Sequence, residues 1–72
     1  MAVSNSLKAV REDLGLSQEE VARIFREKYG YKRVKQQQVS SWEKGVQPNL
    51  EYTLVLSSIY GKTVNELFKL AK

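Results

Sequence analysis

The chain contains no cysteine and no histidine among its 72 residues, and a single proline. Without Cys, neither a disulfide framework nor a thiolate metal site can form. Without His, the commonest metal ligand and acid–base side chain is missing. No apolar run approaches the roughly 18 residues that a membrane span needs. Met1 is followed by no apolar signal core, so an intracellular, cytoplasmic protein with no membrane partner is expected. No stretch alternates between apolar and polar residues, so no β-strand is expected. There is no glycine-rich phosphate loop and no metal-ligand spacing. The acidic pairs Glu12-Asp13 and Glu19-Glu20 are sequence neighbours whose side chains diverge on a helix. No cofactor, metal or catalytic activity is expected.

What is present suits one small helical domain over residues 1–72. Hydrophobic residues make up 42%, and stability must come from packing them, with or without a partner chain. Lys and Arg total 12 against 8 Asp and Glu, a net charge of +4 that suits a polyanion without proving one. Residues 1–5 are expected to fray, and Ser4, Asn5 or Ser6 can cap a first helix over 6–14, with Leu7, Val10 and Leu14 as its apolar stripe. Ser17 and Glu20 form a capping box that opens a second helix, whose buried stripe is Val21, Ala22, Phe25 and Tyr29. Pro48-Asn49 precedes a fourth helix that Gly61 closes, with Leu50, Thr53, Leu54, Ser57 and Tyr60 on one face. Tyr52, Val55 and Ile59 make a second stripe on that helix, covered either by another part of the chain or by a second subunit. Thr63 and Glu66 form another capping box, opening a fifth helix with Val64, Leu67 and Phe68 inward and Leu70 and Ala71 left near the terminus.

The stretch Val34 to Gly45, VKQQQVSSWEKG, carries the functional signal. Read as a helix, it points Val39 and Trp42 one way, with Val46 continuing that line, and Gln36, Gln37, Ser40, Ser41 and Lys44 the other. Such a helix is anchored on one side and offers hydrogen bonds on the other. Gln can bond adenine N6 and N7 bidentately, and the major groove admits a helix. The alternative is an amphipathic helix with a solvated polar face. Lys32, Arg33 and Lys35 crowd just before it, where they fit a flanking phosphate backbone or an ordinary solvated loop. Gln18 occupies the first turn of the second helix, where free N–H groups attract anions; a phosphate contact or an idle surface amide fits there. Lys35 is a poor cap, and Val34 can staple against Val39 across the helix start.

The segments LKAVREDLGLSQEEVA, QQQVSSWEKG, QPNLE and GKTVNELF, in that order, resemble the helix-turn-helix domains of the Cro and C1 repressor type, the Xre family. Together they cover the chain from Leu7 to Phe68. The resemblance implies an all-α fold, a compact five-helix domain like that of lambda repressor, that binds double-stranded DNA as a homodimer and regulates transcription, typically as a repressor. It implies base contacts from Gln36, Gln37 and Ser41, and Ser40 and Lys44 on the same side can meet bases or phosphates. It implies a phosphate contact from Gln18; Lys32, Arg33, Lys35 and Lys44, read from their place beside the third helix, are added as expected phosphate contacts, Lys32 and Arg33 standing where many family members have no basic residue. It also implies an ion pair between Arg11 and Glu43 that orients the third helix rather than touching DNA.

One departure from the family pattern concerns the connection between the second and third helices, here longer than in typical members. The POU-specific domains show a similar lengthening. It affects the tilt of the third helix, and so which of Gln36, Gln37 and Gln38 reaches which base. The second stripe on the fourth helix and the fifth helix are the expected dimer surface, unless the lengthened connection folds over that stripe. The rival to DNA binding is a protein-interaction module, such as a small antitoxin or adaptor. It would lack the DNA salt dependence of phosphate contacts, a log–log slope of roughly −0.9 per contact.

Overall fold

In the computed structural model, which describes residues 3–70, five helices follow one another along the chain. They are α1 (Leu7–Asp13), α2 (Gln18–Glu27), α3 (Gln36–Glu43), α4 (Leu50–Tyr60) and α5 (Val64–Leu67). The five-helix, all-α architecture expected from the sequence is the one observed. The expected absence of strands is corrected at the chain ends. There β1 (Val3–Asn5) pairs antiparallel with β2 (Phe68–Leu70), Asn5 lying opposite Phe68. Three residues are too few for an alternating pattern to register, and the ladder joins segments that only tertiary folding brings together. Met1, Ala2, Ala71 and Lys72 lie outside the described residues. The frayed start is therefore described only from Val3, where the chain is strand, and the expectation for Ala71 falls outside.

Local sequence chemistry sets the helix starts. At α2 the Ser17 hydroxyl accepts from the Glu20 amide at 3.0 Å, and the Glu20 carboxylate accepts from the Ser17 amide at 2.9 Å. Thr63 and Glu66 repeat this reciprocal pair at α5. Asn49 caps α4 through the Tyr52 amide. At α1 the cap is shared. Asn5 Oδ1 accepts from the Leu7 amide, while Ser6 Oγ turns away to donate to the Glu66 carbonyl. Asn5 Nδ2 also donates to the Trp42 carbonyl at 2.9 Å, fastening the N-terminal strand to the last turn of α3.

The core is built from Leu7, Val21, Ala22, Phe25, Val34, Val39, Trp42, Val55, Leu56, Tyr60 and Leu67. Several apolar expectations are corrected. Leu14, the C-cap of α1, is exposed although its amide still donates to the Val10 carbonyl, and Arg11 is buried beside Leu7 instead, held there by Glu43. Val46 is exposed rather than continuing the Val39–Trp42 line, since Gly45, at φ +113°, turns the chain after α3. On α4, Leu50 and Leu54 face out and Leu56 faces in. Thr53 is buried as expected, its hydroxyl donating to the Asn49 carbonyl at 2.9 Å.

The second α4 stripe is covered within the chain. Tyr52 meets Phe25 and Tyr31 edge-on, at centroid distances of 5.7 and 5.2 Å, and lies 5.5 Å from Trp42. Val55 is buried, and Ile59 packs against the core. The connection between α2 and α3 supplies Tyr31, whose hydroxyl donates to Glu51 at 2.8 Å, and Tyr29, whose hydroxyl lies 3.0 Å from Ser58 Oγ. The lengthened connection therefore folds over α4, which removes this stripe from the expected dimer surface.

The two capping boxes make stability acid-sensitive. Hydrogen bonds from the Ser17 backbone and side chain hold the Glu20 carboxyl below its usual 4.5, and Thr63 does the same for Glu66. Groups depressed in the folded state stabilise it above their unfolded pKa, and that contribution disappears as pH falls through the folded value. The thermal stability of the parent should therefore fall as pH drops below about 4.5, and a Glu20→Gln/Glu66→Gln variant should show a flatter acid limb. Superimposable acid limbs would remove the boxes from the pH response.

Candidate nucleic-acid interface

α3 is moored by Val39 and Trp42, which are 1% and 4% exposed. Trp42 sits 5.4 Å from the Phe25 ring of α2, so the indole locks α3 against the helix before it. Val34, just before α3, is fully buried with Val39, the placement of a hydrophobic staple. The opposite face carries Gln36, Gln37 and Lys44, all exposed, with Ser40 and Ser41 half-buried beside them.

The three glutamines do different work. Gln38 Oε1 accepts from the Lys35 amide at 3.0 Å, the half of a capping box that does not need the Lys35 side chain. Gln38 is thereby committed to the helix start. Gln36 Nε2 donates to Gln18 Oε1 at 3.2 Å and keeps its carbonyl oxygen open. Gln37 is exposed, and its backbone carbonyl accepts from Ser41 Oγ at 2.9 Å, which commits the Ser41 proton to the helix backbone and leaves its oxygen as an acceptor.

Behind this face runs a polar chain from α1 to the tip of α3. Arg11 Nε donates to Glu43 Oε2 at 2.6 Å, and Arg11 NH2 to Glu43 Oε1 at 3.3 Å. Arg11 NH1 donates to the Leu16 carbonyl at 2.8 Å, pinning the turn before α2. Gln18 Nε2 donates to Glu43 Oε1 at 3.0 Å, and Gln18 in turn receives Gln36. Arg11 and Glu43 side chains are only 10% and 5% exposed, so this pair is largely desolvated. The hydrogen bond to Glu43 raises the Arg11 pKa against the opposing effect of burial. Burial, reinforced by Glu43, also pushes the neighbouring Tyr60 hydroxyl well above its usual range, so it stays neutral and leaves Arg11 to Glu43.

The cations near α3 divide into three groups. Lys35 joins Gln36 and Gln37 around an open cleft of about 450 Å³ that Glu19 and Arg26 complete. Lys44 joins Gln18, Ser40 and Glu43 around a second hollow of about 250 Å³, where Lys8 of α1 also lies. Lys32 and Arg33 are exposed on the connection and line neither. Sequence reasoning missed Lys8 and Arg26. Lys8 stands one turn before Arg11, a spacing that could have been noticed. Arg26 gave no signal, because its carbonyl partner, Val34, becomes adjacent only through folding.

Truncating Arg11 would leave Glu43 buried with a single amide partner and the Leu16 carbonyl without its guanidinium donor. Arg11→Ala should destabilise the chain by about 3–5 kcal/mol, the range for breaking a buried pair. A denaturation midpoint equal to the parent's would show that the pair carries no such weight.

Among the described residues, no helix is long and apolar enough to cross a membrane. No curated protein matches the chain. The helix-turn-helix family model matches residues 7–67, a span that runs from the start of α1 to the end of α5 and takes in both partners of the Arg11–Glu43 pair. The chain belongs to the Cro/C1-type helix-turn-helix family of DNA-binding regulators.

Proposed function

We propose that this chain binds duplex DNA sequence-specifically as a transcriptional repressor inside the cell, in the cytoplasm, with α3 in the major groove. The observation that carries this reading is the exposed Gln36–Gln37 pair on the face of α3 opposite the buried Val39 and Trp42. Gln36, Gln37, Ser40 and Ser41 read base edges. Gln18, Lys32, Arg33, Lys35 and Lys44 hold phosphates and set the register. Gln18 has two tasks. Its oxygen accepts from the Gln36 amide and one Nε2 proton goes to Glu43, so the second Nε2 proton is the one it offers a phosphate, and the phosphate and base contacts share one hydrogen-bond chain. The Arg11–Glu43 pair orients α3 and touches no DNA.

The acting species is a homodimer. With Tyr52, Val55 and Ile59 covered by the chain itself, support for self-association comes from Leu50 and Leu54, which are 74% and 55% exposed and one helical turn apart on α4. Half-sites for such a dimer lie about one turn of DNA apart.

Selection of bound sequences from a random duplex pool tests the reading as a whole. A shared motif in an inverted repeat is expected; recovery of no motif would reject sequence-specific binding, and lone half-sites would reject the dimer. Gln37→Ala should weaken binding to the selected site by about 1–3 kcal/mol and relax preference at one base pair. Equal losses on selected and random duplexes would take Gln37 out of base reading. Lys32→Ala should instead lower affinity for all duplexes alike, with a salt slope shallower by roughly one contact. An unaltered slope would place Lys32 away from the phosphates.

A further inference from the structure

Arg26 has no part in the functional reading above, yet its guanidinium is divided between two partners. NH2 donates to Glu19 Oε2 at 2.6 Å, and NH1 donates to the Val34 carbonyl at 3.0 Å. Glu19 stands in the first turn of α2 and Arg26 in the last, so the ion pair spans the length of that helix on one side. Val34 is the last residue before the α3 cap, and its side chain is fully buried. The first turn of α3 is built on the next residue. The Lys35 carbonyl accepts from the Gln38 and Val39 amides, and the Lys35 amide donates to Gln38 Oε1. Arg26 also lines the cleft that Lys35, Gln36 and Gln37 share.

We propose that Arg26 is a positioning residue for α3: anchored by Glu19, it holds the Val34 carbonyl and so fixes where the base-reading helix begins. The need arises from the connection. Residues 28–35 separate α2 from α3, and Lys35 supplies no side-chain cap. Tyr31 and Val34 fix the connection by apolar packing, which is non-directional, and the Arg26 bond adds a directional tie from α2 to the carbonyl just before the first turn of α3. A planar fork suits the task, since one guanidinium reaches a carboxylate and a carbonyl in fixed relative geometry, whereas a lysine offers a single point charge. The pairing also neutralises Glu19, which is 57% exposed in its side chain and would otherwise present bare negative charge at the cleft beside Gln36. The role in base selection rests on the proposed function; the tie to the start of α3 does not.

The test uses Arg26→Lys and Arg26→Gln in the full chain, with two readouts. In the free protein, amide hydrogen exchange at Gln38 and Val39 should accelerate by roughly tenfold or more in both variants, the loss expected for a charge-assisted hydrogen bond, with α4 amides unchanged. On DNA, the affinity ratio between the selected and random duplexes should fall by roughly tenfold in both, while the salt slope of Arg26→Lys stays at the parent value. Unchanged exchange at Gln38 and Val39 would overturn the proposal. So would recovery of the parent affinity ratio by Arg26→Lys, which would make Arg26 a plain positive charge toward phosphate. Should Arg26→Gln unfold the chain, Glu19→Gln takes its place, removing the anchor and accelerating the same two amides. If the parent itself fails to distinguish duplexes, the proposed function falls, and the exchange measurement alone decides whether Arg26 holds the start of α3.

Discussion

An isolated helix of eight residues does not persist in water, because the entropy of nucleation outweighs the few hydrogen bonds it closes. α3 is such a helix, and it exists because Trp42 and Val39 are taken out of water on one side. Removing a buried ring of this size typically costs about 3–5 kcal/mol, more than any cap on α3 could return. Trp42 also contacts Phe25 and Tyr52, so α2 and α4 are held to α3 through the same indole. The polar face is free to consist of amides and hydroxyls because it is not asked to contribute to the core.

Orientation within that mooring is a separate matter, handled by charge and hydrogen bonding. Hydrophobic contact is non-directional, so Trp42 and Val39 alone would let α3 rock. The Arg11–Glu43 pair stops this from the C-terminal end of α3, and Gln18 carries the constraint forward to Gln36 at the N-terminal end. Asn5 adds a third tie, from β1 to the Trp42 carbonyl. Buried ion pairs are weak sources of net stability compared with apolar packing. What this one supplies is direction, with both carboxylate oxygens and three guanidinium nitrogens occupied.

The lengthened α2–α3 connection is integrated into this scheme rather than appended to it. Tyr31 enters the aromatic cluster, Tyr29 and Tyr31 reach α4 through their hydroxyls, and Val34 enters the core. The residues between these anchors, Lys32 and Arg33, are left exposed. A tether that is apolar at its fixed points and basic between them keeps cations near the start of α3 without loosening it.

Much of this was legible in the residues themselves. The capping pairs Ser17–Glu20 and Thr63–Glu66, the stripe Val21, Ala22, Phe25 and the split of Val39 and Trp42 from Gln36 and Gln37 all follow from spacing along one helix. These are interactions between residues three or four apart, which the sequence alone determines because helical geometry brings them together wherever the helix sits. What only tertiary structure decided involves partners distant in sequence. Periodicity put Leu50 and Leu54 on one face of α4 with Thr53 and Tyr60, but the fold buries Thr53 and Tyr60, adds Val55 and Leu56 to the core, packs Tyr52 against Tyr31 and Trp42, and leaves Leu50 and Leu54 exposed. The β1–β2 ladder, the commitment of Gln38 to a cap, and the Arg26 bond to Val34 likewise carry no periodic signature. Backbone carbonyls and amides are the same at every position, so which of them a side chain finds is settled by the fold and not by residue type.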